Sequence, residues 1–303
     1  MMKIIDAHVH LVQCICGFGS RGELRAIGEG KARYADGSVI SLIPPELGEY
    51  DVTPEKVITL MDQEQVEKAV ILQGNYLGFQ NEYALMAEKK YPDRFRAAIT
   101  YDPFCRNKKL ILENLVEKQG ARIVKFEVST GSGLMAAHET IALDGDLMEE
   151  TYQYAEAQGM ICVMDIGRAG TVSYQPEALR RAILRHPAMK FVICHVLMPQ
   201  KGGEARMEED LSMLALPNVW FDFAALPANV NRGEAYPYPA AREVLKRARK
   251  VVGIDRLMFG SDLPSTMVSQ SYQHLVEYGM DLFTDTEREK VYHDTADLVY
   301  FGS

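Results

Sequence analysis

Eight short apolar segments recur along this chain, and a helix-length segment follows each of them. They cover 3–8, 69–73, 96–101, 123–128, 160–166, 190–195, 219–224 and 257–261. Their richness in Val, Ile and Phe and their length predict strands. Between them the apolar spacing turns helical. One helix opens at Thr53-Pro54, with Thr as N-cap, Pro in the first turn and Val57, Leu60 and Met61 on one face. The last starts at Thr284-Asp-Thr-Glu287, a capping box. Strands joined by helices must run parallel, because a crossover returns the chain to the same end of the sheet. Eight such units predict a (β/α)8 TIM barrel, with an open doubly wound sheet as the alternative; 303 residues suit the barrel.

One stretch breaks the rhythm. Residues 12–51, between the first strand and its helix, are rich in Gly and carry Pro44-Pro45. They predict a long irregular loop, and such a loop after a barrel strand lies over the mouth. The expectation is one domain, 1–303, with 12–51 as a lid-like insertion.

Bulk properties narrow the partners. The formal charge is −9, and the densest basic stretch, Lys246-Arg-Ala-Arg-Lys250, alternates like a solvated helix face. Nucleic acid and anionic membrane are therefore excluded, and a small-molecule substrate is expected. No apolar run approaches the roughly 20 residues that span a bilayer. Five scattered cysteines do not make a disulfide framework, so a cytoplasmic location is expected.

Chemistry should sit where barrel strands end. The first strand closes on His8-Val-His10. Residues two apart on a strand share a face and lie roughly 6.6 Å apart, so two imidazoles there can close on one ion. Strict alternation predicts inward sets Ile4-Asp6-His8-His10, Ile161-Val163-Asp165, Phe191-Ile193-His195 and Met258-Gly260-Asp262, each ending on a titratable group. Lys125 and Glu127 share a face of the fourth strand, as an internal ion pair or with Lys125 facing substrate. Arg168 follows the fifth strand and could grip a carboxylate. His138, His186, His274 and His293 fall in loops or helices and read as structural, and Tyr236 and Tyr238 as loop packing. Two motifs read as decoys. Gly17-Phe-Gly-Ser-Arg-Gly22 has the dinucleotide pattern, but Gly28 and Gly30 break the helix it needs. Cys14-Ile-Cys16 is half of a zinc site with no second pair.

His8-Val-His10, Phe-Val-Ile-Cys-His195 and Gly260-Ser-Asp262, with Thr53-Pro-Glu and Tyr91-Pro-Asp-Arg-Phe95, resemble the amidohydrolase superfamily over essentially the whole chain. The similarity is to its amidohydrolase-related branch, which includes the aminocarboxymuconate-semialdehyde decarboxylase-like enzymes. The resemblance implies that His8 and His10 ligate a divalent metal, zinc first and manganese as the alternative. It implies Asp262 as a ligand or near-ligand that takes a proton from the activated water, and His195 as the group that polarises the reacting oxygen. It also suggests a homodimer. The pattern departs at the fifth strand, where Asp165 stands in place of a ligating histidine. Aspartate can bind zinc, so Asp165 is either a metal ligand or the partner of one. The implied reaction is attack of metal-activated water on a small ester, lactone or amide. The alternatives are non-oxidative decarboxylation of an aromatic or unsaturated acid, and a barrel that only binds a ligand or metal.

Overall fold

The computed structural model describes residues 2–19, 21–129 and 138–302. Eight parallel strands form one sheet in chain order: β1 (Ile4–Val9), β6 (Val66–Ile71), β7 (Phe95–Ile99), β8 (Ile123–Glu127), β9 (Ile161–Asp165), β10 (Lys190–Ile193), β11 (Val219–Asp222) and β12 (Leu257–Met258). The ends meet. Ala7 N–H donates to Phe259 O at 2.9 Å, Asp262 N–H to His8 O at 2.8 Å and His10 N–H to Leu263 O at 2.9 Å. The barrel is therefore closed, and the seam runs directly under the two histidines.

Helices cover the outside as the periodicity predicts. They include α1 (Pro54–Gln63), α2 (Asn81–Lys90), α3 (Lys108–Leu112), α4 (Asp146–Ala157), α5 (Pro176–Arg185) and α6 (Glu204–Leu214). A short α7 (Leu226–Val230) precedes α8 (Pro239–Val252); α9 (Tyr272–Glu277) and α10 (Asp285–Glu289) follow, and helical turns continue to Phe301. Thr53 caps α1 by accepting from Lys56 N–H, and the Thr284–Glu287 capping box opens α10. The C-terminal segment plugs the barrel floor: Ala296, Val299 and Tyr300 pack with Ile5, Val70 and Val163 inside the sheet. Each such buried aliphatic side chain contributes about 1.5–3 kcal/mol.

The segment after β1 is not an irregular loop. It folds as a four-stranded antiparallel sheet, β2 (Cys16–Gly19), β3 (Gly22–Gly28), β4 (Lys31–Tyr34) and β5 (Val39–Ser41). Gly30 marks a turn. Gly28 pairs with Lys31, leaving Glu29 and Gly30 as a two-residue hairpin loop with φ of +53° and +67°. That is the left-handed pair a type I′ turn needs, and its twist matches the strands it joins. The strands are too short for their alternation to stand out against the glycines. The dinucleotide-like motif falls on β2, β3 and their turn rather than on a strand–helix junction; Ser20 within it lies outside the described residues.

Strict alternation misplaces the lower residues of two strands. On β1, Ile5 and Ala7 face the barrel interior, while Ile4 packs with the helix-side core. The register against β6 slips between Asp6 and Val9, and this irregularity turns His8 and His10 inward. On β10, Val192 and Cys194 point in, and Phe191 and Ile193 point out. His195 reaches the interior because the chain leaves the strand in a left-handed run: His195, Val196, Leu197 and Met198 have φ of +60°, +43°, +70° and +49°. A left-handed residue costs roughly 1–2 kcal/mol, so this is a strained corner that the surroundings must hold. For β9 and β12, alternation held: Val163 and Met258 are inside, below Asp165 and Asp262.

Candidate metal and active site

Three imidazoles converge at the mouth. The His8 ring lies 5.1 Å from that of His10 and 4.8 Å from that of His195, centroid to centroid. Each Nδ1 is tied off. His8 Nδ1 is 3.1 Å from Asp222 Oδ2, His10 Nδ1 is 2.8 Å from Leu72 O, and His195 Nδ1 is 3.0 Å from Ala224 O. All three partners are acceptors, so each Nδ1 carries a proton and donates it, and this assigns the tautomers. The Nε2 atoms are thereby turned toward the centre. His8 Nε2 is buried without a hydrogen-bond partner among the described residues. Burial holds the His8 ring down at about 4, against the pull of Asp222, so at neutral pH its Nε2 presents a lone pair.

Asp262 completes the cluster. Its Oδ1 lies 2.9 Å from His10 Nε2 and 3.5 Å from His8 Nε2. Burial alone would raise the acid. The His10 hydrogen bond and the fields of His8, His10 and His195 instead hold it well below the usual carboxylate range. Asp262 is itself left-handed, with φ +61°, a turn that brings the carboxylate back over the seam. The donor atoms of His8, His10 and Asp262 lie within 4.8 Å of one another, as do those of His8, Cys194 and His195. An orphaned buried nitrogen, two imidazoles with their outer nitrogens tied off and a carboxylate between them are what a divalent cation requires. The residues present therefore fit a metal.

Asp165 is not brought into that cluster. Its Oδ2 lies 3.6 Å from His195 Nε2, and its Oδ1 accepts from Gly167 N–H at 3.0 Å. Of the two readings open for it, this geometry is that of a partner to His195. His195 gains from the pairing. Burial would lower it, but Asp165, with help from Asp222 and Asp262, raises it to about 10. His195 is thus a cation that can donate from Nε2. Lys125 and Glu127 do face the interior, in register with Val163 and Asp165. Lys125 is 2% exposed, and its amine makes no ion pair within 4.0 Å among the described residues, so the internal pair with Glu127 does not form as a contact. Burial would lower its pKa, but Cys194, Glu127, Asp165 and Asp262 together raise it, so the amine stays charged.

Three supporting residues were given no role in the sequence reading. Asp222 is fully buried and holds four things at once: His8 Nδ1, the His195 N–H at 2.8 Å, the Ala224 N–H at 3.1 Å and, through these, the strained corner. Its signal was there: an acid inside Val-Trp-Phe-Asp-Phe, two residues after the inward Trp220. Asp6, also buried, locks the seam by accepting from Ser261 N–H (2.9 Å), His8 N–H (3.2 Å) and Tyr272 O–H (3.0 Å). Burial pushes it up to about 7, against the pull of those donors. Arg232, on the loop after α7, lines the cavity and carries no pattern that marks it.

These groups sit at the base of a cavity of about 850 Å³. The insertion supplies one wall through Tyr34, Ile40 and Leu42, and Tyr34 O–H donates to Tyr76 Oη at 2.9 Å across the junction. Arg168 and Arg232 rim the opening, and neither guanidinium has a hydrogen-bond or ion-pair partner among the described residues. The remaining histidines are engaged elsewhere. His186 bridges Glu149 and Glu156, His138 bonds Asp102, His293 lies between Glu67 and Asp294, and His274 stacks on Tyr236. Tyr238 is buried in loop packing. No helix among the described residues is long and apolar enough to cross a membrane.

A family model described as Amidohydrolase matches residues 5–302, and the chain belongs to that family. No curated protein matches it. Among solved structures, a probable 2-pyrone-4,6-dicarboxylic acid hydrolase from Acinetobacter baumannii, with citric acid bound, is 18% identical. It superposes with a TM-score of 0.69 over 98% of this chain and 99% of that one. An amidohydrolase from Burkholderia multivorans with bound zinc is 17% identical, with a TM-score of 0.72 over 99% of both chains. A 5-carboxyvanillate decarboxylase from Sphingomonas paucimobilis is 12% identical, with a TM-score of 0.54 over 80% and 82%. At these identities the structures establish the shared barrel.

Proposed function

We propose that this chain is a metal-dependent hydrolase of a small carboxylate-bearing ester or lactone. The observation that carries the reading is the convergence of the His8 and His10 Nε2 atoms on Asp262 with every Nδ1 already committed. His8, His10 and Asp262 would hold the ion, which supplies Lewis acidity to a water and to a carbonyl oxygen. Zinc suits two imidazoles and a carboxylate, and the zinc-bound Burkholderia relative supports that choice.

The side chains divide the remaining work. Asp262, held ionised, takes the proton from the attacking water. His195, cationic and donating from Nε2, steadies the negative charge that develops on the carbonyl oxygen. Asp165 keeps that ring charged and aimed. Arg168 and Arg232, without a partner among the described residues, would grip a carboxylate at the cavity rim, and guanidinium matches that group in two parallel hydrogen bonds. The Acinetobacter relative is described as a probable hydrolase of 2-pyrone-4,6-dicarboxylic acid, and the citric acid bound to it likewise carries several carboxyl groups.

A second reading has its own observation. Lys125 is a buried cation below the site with no ion-pair partner among the described residues, and it could seat a carboxylate at the reacting position itself, as decarboxylation would require. One experiment separates the two. Protein purified without added metal is assayed for divalent ion content, then incubated with a panel of carboxylated lactones and a panel of aromatic carboxylates. The hydrolase reading expects about one ion per chain and ring opening without CO₂. CO₂ release without hydrolysis selects the second reading. A metal content unchanged in His8→Ala and His10→Ala defeats both.

A further inference from the structure

Cys14 and Cys16 flank the buried Ile15 where the chain passes from the barrel into β2, and both thiols are exposed. Their Sγ atoms are 3.5 Å apart. They are free and belong to neither metal-type cluster. Their backbone is tied to the segment after β6. Cys14 O accepts from Gln80 Nε2 at 3.1 Å, Cys16 N–H donates to Leu77 O at 3.3 Å, and Phe18 N–H donates to Asn75 O at 2.9 Å. A Cβ on Gly17 would fall 2.2 Å from the Asn75 and Tyr76 carbonyl oxygens, so the two backbones touch. The insertion is thus hung from the segment whose Tyr76 and Leu77 wall the cavity.

We propose that Cys14 and Cys16 are a reversible dithiol site for low-molecular-weight disulfides, and that closing it stiffens the tether of the insertion. The sulfurs need approach by only about 1.5 Å to reach bonding distance. Cys14 loses its proton and attacks one sulfur of the small disulfide. An S–S bond forms to Cys14, and the other half leaves as a thiol. Cys16 then loses its proton and attacks the Cys14 sulfur, forming the Cys14–Cys16 bond and releasing the second thiol. The protein gives up two hydrogens, and the small disulfide takes up both electrons. An exposed bridge of this kind is readily reduced again, which makes the site reversible.

The test uses the full chain, equilibrated with graded ratios of glutathione and its disulfide. Free thiols are then blocked with N-ethylmaleimide, and the protein is digested with trypsin. Peptide 4–21 contains these two cysteines and no other. The proposal expects it to appear unalkylated and two hydrogens lighter, at ratios where Cys162 and Cys194 still alkylate after unfolding. In Cys16→Ser the reaction should stop at a glutathione adduct on Cys14. A peptide 4–21 that stays doubly alkylated, or that carries glutathione on both cysteines without closing, overturns the site. Oxidised and reduced protein are also compared by amide hydrogen exchange at Cys16 and Phe18. A severalfold slowing is expected, and unchanged exchange in protein shown to be closed overturns the stiffening.

Discussion

Asp222→Asn tests the reasoning about the metal site most directly. Asp222 Oδ1 accepts two backbone N–H groups, from His195 and Ala224, while Oδ2 accepts from His8 Nδ1. Asparagine keeps the shape but has only one acceptor oxygen. Turning its NH₂ toward the two backbone donors would strand both of them, at about 1–3 kcal/mol each. The amide therefore leaves its oxygen there and presents NH₂ to His8. His8 must then accept at Nδ1, so its proton moves to Nε2 and covers the lone pair that faces the ion. Losing such an outer partner lowers metal affinity by roughly 10–100-fold, about 1.4–2.7 kcal/mol. The assay is competition for zinc against a chromophoric chelator, with thermal unfolding of the metal-free protein as a folding control. The metal-free variant should lose about 2 kcal/mol, since a charge-assisted hydrogen bond from His8 to the ionised Asp222 is exchanged for a neutral one. Asp222→Ala, by contrast, strands three buried donors and should be destabilised by on the order of 5 kcal/mol. Zinc affinity within threefold of the parent in a folded Asp222→Asn protein would refute the tautomer argument.

Gly260→Ala should mimic that loss sterically. A Cβ there would lie 2.8 Å from His8 Cβ and 3.0 Å from Ala224 Cβ, so His8 must shift, and zinc affinity should fall at least tenfold in the same competition assay. His195→Gln should lower kcat by about 10²–10³ with little change in metal content, as loss of a donor to a developing oxyanion does. His195 also predicts a pH dependence. Its folded value near 10 exceeds that of an unfolded histidine, about 6.5, so its stabilising contribution is full below pH 6.5 and is lost as pH rises toward 10. Denaturant titrations of chelator-treated protein across that window should show the decline, and His195→Gln should flatten it. Arg168→Ala and Arg232→Ala should each raise KM for a carboxylated lactone about tenfold or more while leaving kcat near that of the parent. Equal effects on an uncharged lactone would refute the carboxylate reading.

The sequence carried the barrel because its evidence is local and repeated. Eight alternations of strand and helix force parallel pairing, and length then favours closure. His8, His10, His195, Asp165 and Asp262 were legible because each stands at the end of an apolar segment. Their inward direction was expected, but in two cases it arises from a departure that alternation does not contain. His8 owes its direction to a slipped register on β1, and His195 to four left-handed residues after β10. Both are departures from period two that no pattern of residue types announces. The insertion was misread for a related reason: its strands of three to seven residues are fixed by hairpin turns and by contact with 72–80, not by their own alternation. Asp222 and Arg232 depend on the fold altogether. Asp222 serves His8, which lies 214 residues away in the chain, and Arg232 matters only because its loop rims the same cavity as Arg168. Residue chemistry and local periodicity are written along the chain, so the architecture and the list of reactive groups could be read from it. Which nitrogen faces the centre, and which acid holds it there, depends on strand register and ring closure, and those exist only once distant segments have packed.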